Sequence, residues 1–431
     1  MPRAWFAGMC HAVEAILDRV QYLSLELPDE FEDIVQAVPP RSRTTPYSSQ
    51  TVTAWTFEHM LANGAPRLSH FEFTRIDVDT SIFQAPHERL SNLRTLVVER
   101  IPSLYGAKDL DELLAFLPNL EELSVWLSGG SEELLAPCAF TTVHCKLRHL
   151  RVNQPQGTAF NVITLCAVFG SIQILAIDSD SWCGTRPSKD IHNVLPIITS
   201  ISLGSGICEY VARRSLDERP MRILCSTGGF GWTYLEDILN APTFSHLTTL
   251  SFHEFFFCSH RDWSHRMQLP ALPDLIRLRI MLASCRDYRV TLDEFHFADP
   301  PARTSILANC DFEWDLPALR TVHISFFLSS RCDDEYRSDC TCRPTMSLAL
   351  SDICSFSPAP LRWSGSNCTA LRLSGFNIVD VDADKYLCSL YTMFQEITIS
   401  EQCEPECWDV DAGVWYGTQL SIFRDPLVIG S

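Results

Sequence analysis

Apolar residues recur along this chain in the figure L-x-x-L-x-L, with other apolar side chains often standing in for leucine. The copies are Val20/Leu23/Leu25, Leu68/Phe71/Phe73, Leu93/Leu96/Val98, Leu120/Leu123/Val125, Leu147/Leu150/Val152, Ile172/Leu175/Ile177 and Ile198/Ile201/Leu203. They resume as Leu247/Leu250/Phe252, Leu275/Leu278/Ile280, Leu319/Val322/Ile324, Cys368/Leu371/Leu373 and Phe394/Ile397/Ile399. From Leu68 to Ile198 the first positions step by 25, 27, 27, 25 and 26 residues, a period that chance does not keep. Weaker copies, Met221/Leu224 and Leu292/Phe295/Phe297, fall in wider gaps, and none is found between residues 319 and 368.

Alternation over the last three positions of the figure is the signature of a strand with one buried face. Before many of these strands the apolar spacing is helical, over Ala107 to Phe116, Thr158 to Phe169, Lys189 to Leu195, Trp232 to Asn240 and Lys385 to Met393. Several of these stretches close on a breaker just ahead of the strand, at Pro118, Gly170 and Pro196. A unit of one helix and one short strand cannot cover its own apolar face, so neighbours must stack. The predicted class is therefore α/β: a solenoid of irregular repeats of about 25–28 residues, with a parallel concave sheet and outer helices.

The segments LPNLEELSV, KLRHLRV, HLTTLSF and LPALRTVHIS resemble leucine-rich repeats. Their irregularity resembles the divergent repeat regions of fungal F-box/leucine-rich-repeat-like proteins. The resemblance runs from about residue 10 to 400 and implies a horseshoe-shaped, protein-binding array. One departure is that Ile101, Ser128, Pro155 and Asp180 stand where regular members carry an asparagine, so a continuous asparagine ladder is not expected. Residues 1–400 are read as a single array with loop insertions at 39–50 and 329–344, and residues 401–431 as a C-terminal cap or tail.

Composition narrows the partners. Hydrophobic residues make up 46% and charged residues 20%, enough apolar side chain to offset chain ordering. A net charge of -19 argues against nucleic acid, whose phosphates demand Lys and Arg, and against an anionic membrane surface. No apolar run reaches the length of a membrane span. The start, MPRAWFAGMCHAVEAIL, reads poorly as a secretory signal because Glu14 interrupts it. The 18 cysteines are accordingly expected as reduced thiols in cytoplasm or nucleus.

Chemical motifs are sparse. Cys332, Cys340 and Cys342, with Cys403 and Cys407, lack the paired short spacings of structural zinc and read as loop thiols. Asp380, Asp382 and Asp384 open like a calcium loop, but Lys385 replaces its glycine and Tyr391 its closing glutamate, so helix capping is the expectation. Gly228, Gly229 and Gly231 read as a turn. Neither G-x-S-x-G, a Walker A loop nor H-E-x-x-H occurs, and no enzymatic activity or cofactor is expected.

Leu27 to Pro39, LPDEFEDIVQAVP, resembles the opening of an F-box, with Trp55 about where such modules place a tryptophan. That resemblance implies docking to a Skp1-type adaptor and a role as substrate receptor of an SCF-type ubiquitin ligase. The competing reading is a loop and short helix, in a structural or receptor-like repeat protein unrelated to ubiquitin. In either case, residues flanking the middle apolar position of each strand face away from the core and build the concave surface. The partner-binding candidates are Tyr22, Glu26, His70, Glu72, Glu99, Glu122, Trp126, His149, Arg151, His253, Arg277, Arg279, His323 and Arg372. In chain order they pass from acidic to basic, with Tyr22 and Trp126 as aromatic anchors.

Overall fold

A tight turn ahead of six of the strands explains why they fall where they do. In Leu117-Pro118-Asn119-Leu120 the N–H of Leu120 donates to the Leu117 carbonyl at 3.1 Å. The same closure joins Ala65 to Leu68, Leu90 to Leu93, Phe244 to Leu247, Leu272 to Leu275 and Leu316 to Leu319. Pro118, Pro273 and Pro317 hold the second turn position, where their fixed φ is favoured. Both apolar residues of every such turn are buried. The repeat thus begins three residues earlier than the sequence figure, as in Leu90-x-x-Leu93-x-x-Leu96-x-Val98.

The computed structural model describes residues 19–26, 51–52, 65, 67–78, 90–101, 107–127, 146–154, 172–179, 195–203, 207–227, 239, 244–253, 267–268, 270–283, 312–327, 346–356, 361–362, 370–379 and 382–402. The expected helices at 158–169, 189–195 and 232–240, the insertions at 39–50 and 329–344, the F-box-like segment from Leu27, the loop cysteines and the tail from residue 403 lie outside these, apart from the single residues 195 and 239. The fold is α/β, a large parallel sheet with few helices, and the chain divides into two units.

The first unit comprises residues 1–181 with Ile223–Ser226. Its strands are β1 (Tyr22–Glu26), β2 (Thr51–Val52), β3 (His70–Val78), β4 (Thr95–Ile101), β5 (Glu122–Leu127), β6 (His149–Gln154) and β7 (Ile174–Ser179). From β1 through β3, β4, β5, β6 and β7 every neighbouring pair is parallel, with Leu23, Phe71, Leu96, Leu123, Leu150 and Leu175 in register. This lateral row is buried throughout. One backbone device recurs from repeat to repeat within this unit: the Arg94 carbonyl accepts from the N–H groups of both Glu121 and Glu122, and the Glu121 carbonyl from those of Arg148 and His149. Helix α1 (Ala107–Phe116), at the bounds the periodicity predicts, buries Leu110, Leu113 and Leu114. Turns are laced together as well, since Asn119 Nδ2 donates to the Ser91 carbonyl at 2.6 Å and Lys146 Nζ to Asn119 Oδ1 at 2.8 Å. Asn119→Ala is expected to lower stability by about 0.5–1.5 kcal/mol, read from the urea midpoint.

In the second unit, β8 (Ile197–Leu203) pairs antiparallel with β9 (Ile207–Arg213), a departure from the all-parallel expectation. The cause is the connector: three residues, 204–206, allow a hairpin, whereas a parallel return needs a dozen or more. Strand β10 (Met221–Thr227), the weak Met221/Leu224 copy, follows; its central residues belong to the first unit. Beyond them come β11 (Thr249–His253), β12 (Met267–Gln268), β13 (Arg277–Ala283), β14 (Phe312–Asp315), β15 (Thr321–Phe327), β16 (Met346–Leu348), β17 (Leu361–Arg362), β18 (Ala370–Ser374), β19 (Phe376–Ile378) and β20 (Glu396–Ser400). The order β8-β11-β13-β15-β18-β20 is parallel throughout, and Ile201, Leu250, Leu278, Val322, Leu371 and Ile397 align across it.

Two elements types escaped the periodicity here. Short parallel strands β12-β14-β17 form a second sheet, and β16 pairs β19. Beyond β15, the stretch up to residue 368, without a motif copy, holds β16, α2 (Leu350–Phe356) and β17. Trp314 of β14 tilts against Phe252 of β11 at 6.3 Å between ring centroids, so the core lies between the two sheets. Helix α3 (Ala383–Tyr391) starts two residues before the expected Lys385 and ends two before Met393. Asp382 stands at its N-cap, though the side chain makes no capping hydrogen bond; its carbonyl accepts from Lys385 N–H at 3.0 Å.

Candidate partner-binding face

Register converts the repeat into rows. In the first unit Tyr22, His70, Thr95, Glu122, His149 and Ile174 stand side by side, one from each strand, on the face away from the leucine row. Their side chains are tied laterally. The Tyr22 ring stacks on the His70 imidazole at 4.2 Å and 15°, and its hydroxyl donates to Glu72 Oε2 at 2.6 Å. Glu122 bridges its two neighbours, accepting from Thr95 Oγ1 at 3.3 Å through Oε2 and pairing with His149 Nδ1 at 3.1 Å through Oε1. Such pairs at half-exposed sites are worth about 0.2–1 kcal/mol each, so their effect is to fix side-chain positions more than to hold the fold. Tyr22 remains 48% exposed, and this row is the part-open polar face of the unit.

The next row is closed. Glu72, Val97, Ser124 and Ala176 are buried, and only Ser24 at the edge and Arg151 are open to any extent. The second unit repeats this contrast. Its outer row carries Ser200, Thr249, Arg277 and Thr321, with Arg277 exposed. The following row carries Ser202, Ser251, Arg279, His323 and Arg372, of which only Arg372 is exposed.

Arg279 is 1% exposed and His323 is 5% exposed, against the expectation of a solvated concave surface. Alternation correctly turns them from the leucine row, but Met281 and Ser325 beside them are fully buried too, so these strands are covered on both faces. Each polar group reaches diagonally to the next strand: Arg279 Nε donates to Ser325 Oγ at 2.8 Å, and His323 Nε2 lies 2.8 Å from Ser374 Oγ. Ser202 and Ser251, in register on β8 and β11, bury their hydroxyls without a hydrogen-bond partner among the described residues. Ser251→Ala, which removes one such group, is expected to leave stability unchanged or raise it by up to about 1 kcal/mol in a urea titration.

Of the remaining predicted residues, Glu26, Glu99, Trp126 and His253 stand in β1, β4, β5 and β11 with side chains outside the described set. A charged pair that sequence reasoning missed is Glu209 on β9 with Arg222 on β10, at 2.8 Å. Its signal was the alternation of Cys208, Tyr210 and Ala212 around a single acidic residue. Among the described residues Cys208, Cys354 and Cys388 form no disulfide, and Cys354 Sγ lies 3.7 Å from the Tyr386 carbonyl. Among the described residues no three His, Cys, Asp or Glu side chains are grouped as a metal would need, and no helix is long and apolar enough to cross a membrane. Neither a family model nor a curated protein matches the chain.

Proposed function

We propose that this chain is a non-enzymatic protein-recognition scaffold, a leucine-rich-repeat-like solenoid whose partner contacts come from the outer polar row of the parallel strands. The observation that carries the reading is the row Tyr22, His70, Thr95, Glu122 and His149, prearranged by strand register and side-chain bonding. Prearranged side chains lose little freedom on binding, which favours affinity from a modest area. A half-open aromatic beside fixed carboxylates suits a protein segment carrying basic and apolar groups. In the second unit Arg277 of the outer row, with the exposed Arg372 of the following row, offers the opposite charge.

The test compares proteins captured by the intact chain with those captured by a Tyr22→Ala/Glu122→Lys double variant whose melting curve matches. Loss of a partner specifically from the variant supports the reading, and identical recovery by both baits sinks it. The ubiquitin-ligase version rests on the resemblance to F-box/leucine-rich-repeat-like proteins and on the F-box-like Leu27 to Pro39 with Trp55. Co-purification with a Skp1-type adaptor that disappears on replacing this segment supports that version; absence of adaptor binding by the folded chain removes it.

A further inference from the structure

The strand order of the second unit stops at β20, and no described strand lies on its far side. On β18 the core residues Leu371 and Leu373 are sealed, whereas their partners in register on β20 are not: Ile397 is half-buried and Ile399 is 38% exposed. Tyr391, at the end of α3 beside β20, is exposed as well. An apolar edge of this kind is a template for another strand.

Backbone geometry fixes which groups of β20 have no partner among the described strands. The Ser400 carbonyl accepts from Gly375 N–H at 2.7 Å, on the β18 side. With a period of two, Thr398 and Glu396 also turn their backbone groups toward β18, and Ile397 and Ile399 turn theirs outward. The segment Glu396-Ile397-Thr398-Ile399-Ser400 is nearly symmetric about Thr398. Laid antiparallel against its own copy with Thr398 on the two-fold axis, Ile397 of one strand faces Ile399 of the other. Those are the residues whose N–H and C=O groups point outward, so each facing pair exchanges two hydrogen bonds. Glu396 then faces Ser400, and no like charges oppose one another. The isoleucines of both copies fall on the same face, continuing the core rows across the junction.

We propose that the edge of β20 that no described strand covers is a self-association surface whose occupant is β20 of a second copy, in an isologous antiparallel pair centred on Thr398. The surface is distinct from the outer polar row and does not depend on the proposed recognition role. A contact between two five-residue strands is small, below the roughly 1,000 Å² of stable interfaces, so the dimer forms with concentration.

The experiment is sedimentation velocity on the full chain in reductant, from nanomolar to high-micromolar concentration, with hydrogen exchange read at Ile397 and Ile399. The expected result is a shift to twice the monomer mass, with both amides protected only where the dimer is populated. Thr398 is exposed, so Thr398→Lys leaves the fold intact while setting two ammonium groups face to face; it should weaken association by about tenfold or more. Thr398→Cys should give, on oxidation, a covalent dimer linked between the two 398 positions, since facing Cα atoms of such a pair lie about 4.5 Å apart, within disulfide reach. A monomer at every concentration overturns the proposal. So does a dimer indifferent to Thr398→Lys, or amide protection independent of concentration, which would mean that the chain's own residues cover the edge.

Discussion

Arg279→Glu is expected to lower the stability of the second unit by about 3–5 kcal/mol, while Arg277→Glu, two residues away, changes it by no more than about 0.5 kcal/mol. Both arginines face away from the leucine row on β13, and the sequence treats them alike. They differ in depth. Arg277 sits in the outer row and is exposed; Arg279 is enclosed, with its Nε hydrogen-bonded to Ser325 Oγ. Reversing a buried charge leaves a carboxylate where the surroundings were arranged for a cation, and desolvation makes that costly. Paired urea titrations of the two variants decide the matter. Equal, small shifts for both would mean that Arg279 is solvated and that the second row is an open surface after all. The difference also governs the choice of binding probes: Arg277→Glu reports on recognition, whereas any loss of binding in Arg279→Glu is confounded with unfolding.

That contrast marks what could be read from residues alone. Wherever the apolar figure falls on described residues, from Leu23 on β1 to Ile399 on β20, the chain forms a strand, and within β1 to β7 and again from β8 to β20 the copies of the figure align in register. Period-two alternation and a regular step are local properties, so they survive in the sequence. Depth is not local. Whether the outward side chains of β13 meet water depends on what covers that face, and alternation is silent on it. A signal was nevertheless present, because Ile280-Met281-Leu282 is a continuous apolar run, as expected of a strand buried on both faces. The polar residues of the outer row were legible as candidates, but the lateral bonds joining Tyr22 to Glu72 and Glu122 to His149 cross about 50 and 27 residues of sequence. The hairpin of β8 and β9 was missed because Ile207–Arg213 fits no step of the period; the three-residue connector was the clue. The short strands β12 and β17, each two residues long, carry no period at all.

Trp314→Ala should be the most damaging truncation on the short second sheet, at about 3–5 kcal/mol. Trp314 is fully buried, and its indole N–H donates to the Pro270 carbonyl at 2.8 Å. Pro270 lies just ahead of the Leu272–Leu275 turn that starts β13, so one side chain joins β14 to the start of the preceding repeat. The ring also fills the space against Phe252, which belongs to the leucine-type row of β11. Removing it opens a cavity that Phe252 cannot fill without leaving that row, and the cost of such cavities grows with the volume left behind. Trp314→Phe keeps most of the volume and loses the N–H, so it should cost less, about 1–3 kcal/mol, chiefly from the unpaired Pro270 carbonyl. Urea unfolding followed by circular dichroism separates the two variants. If Trp314→Ala costs less than Trp314→Phe, or neither moves the midpoint, the core does not lie between the two sheets and β14 does not pack on β11.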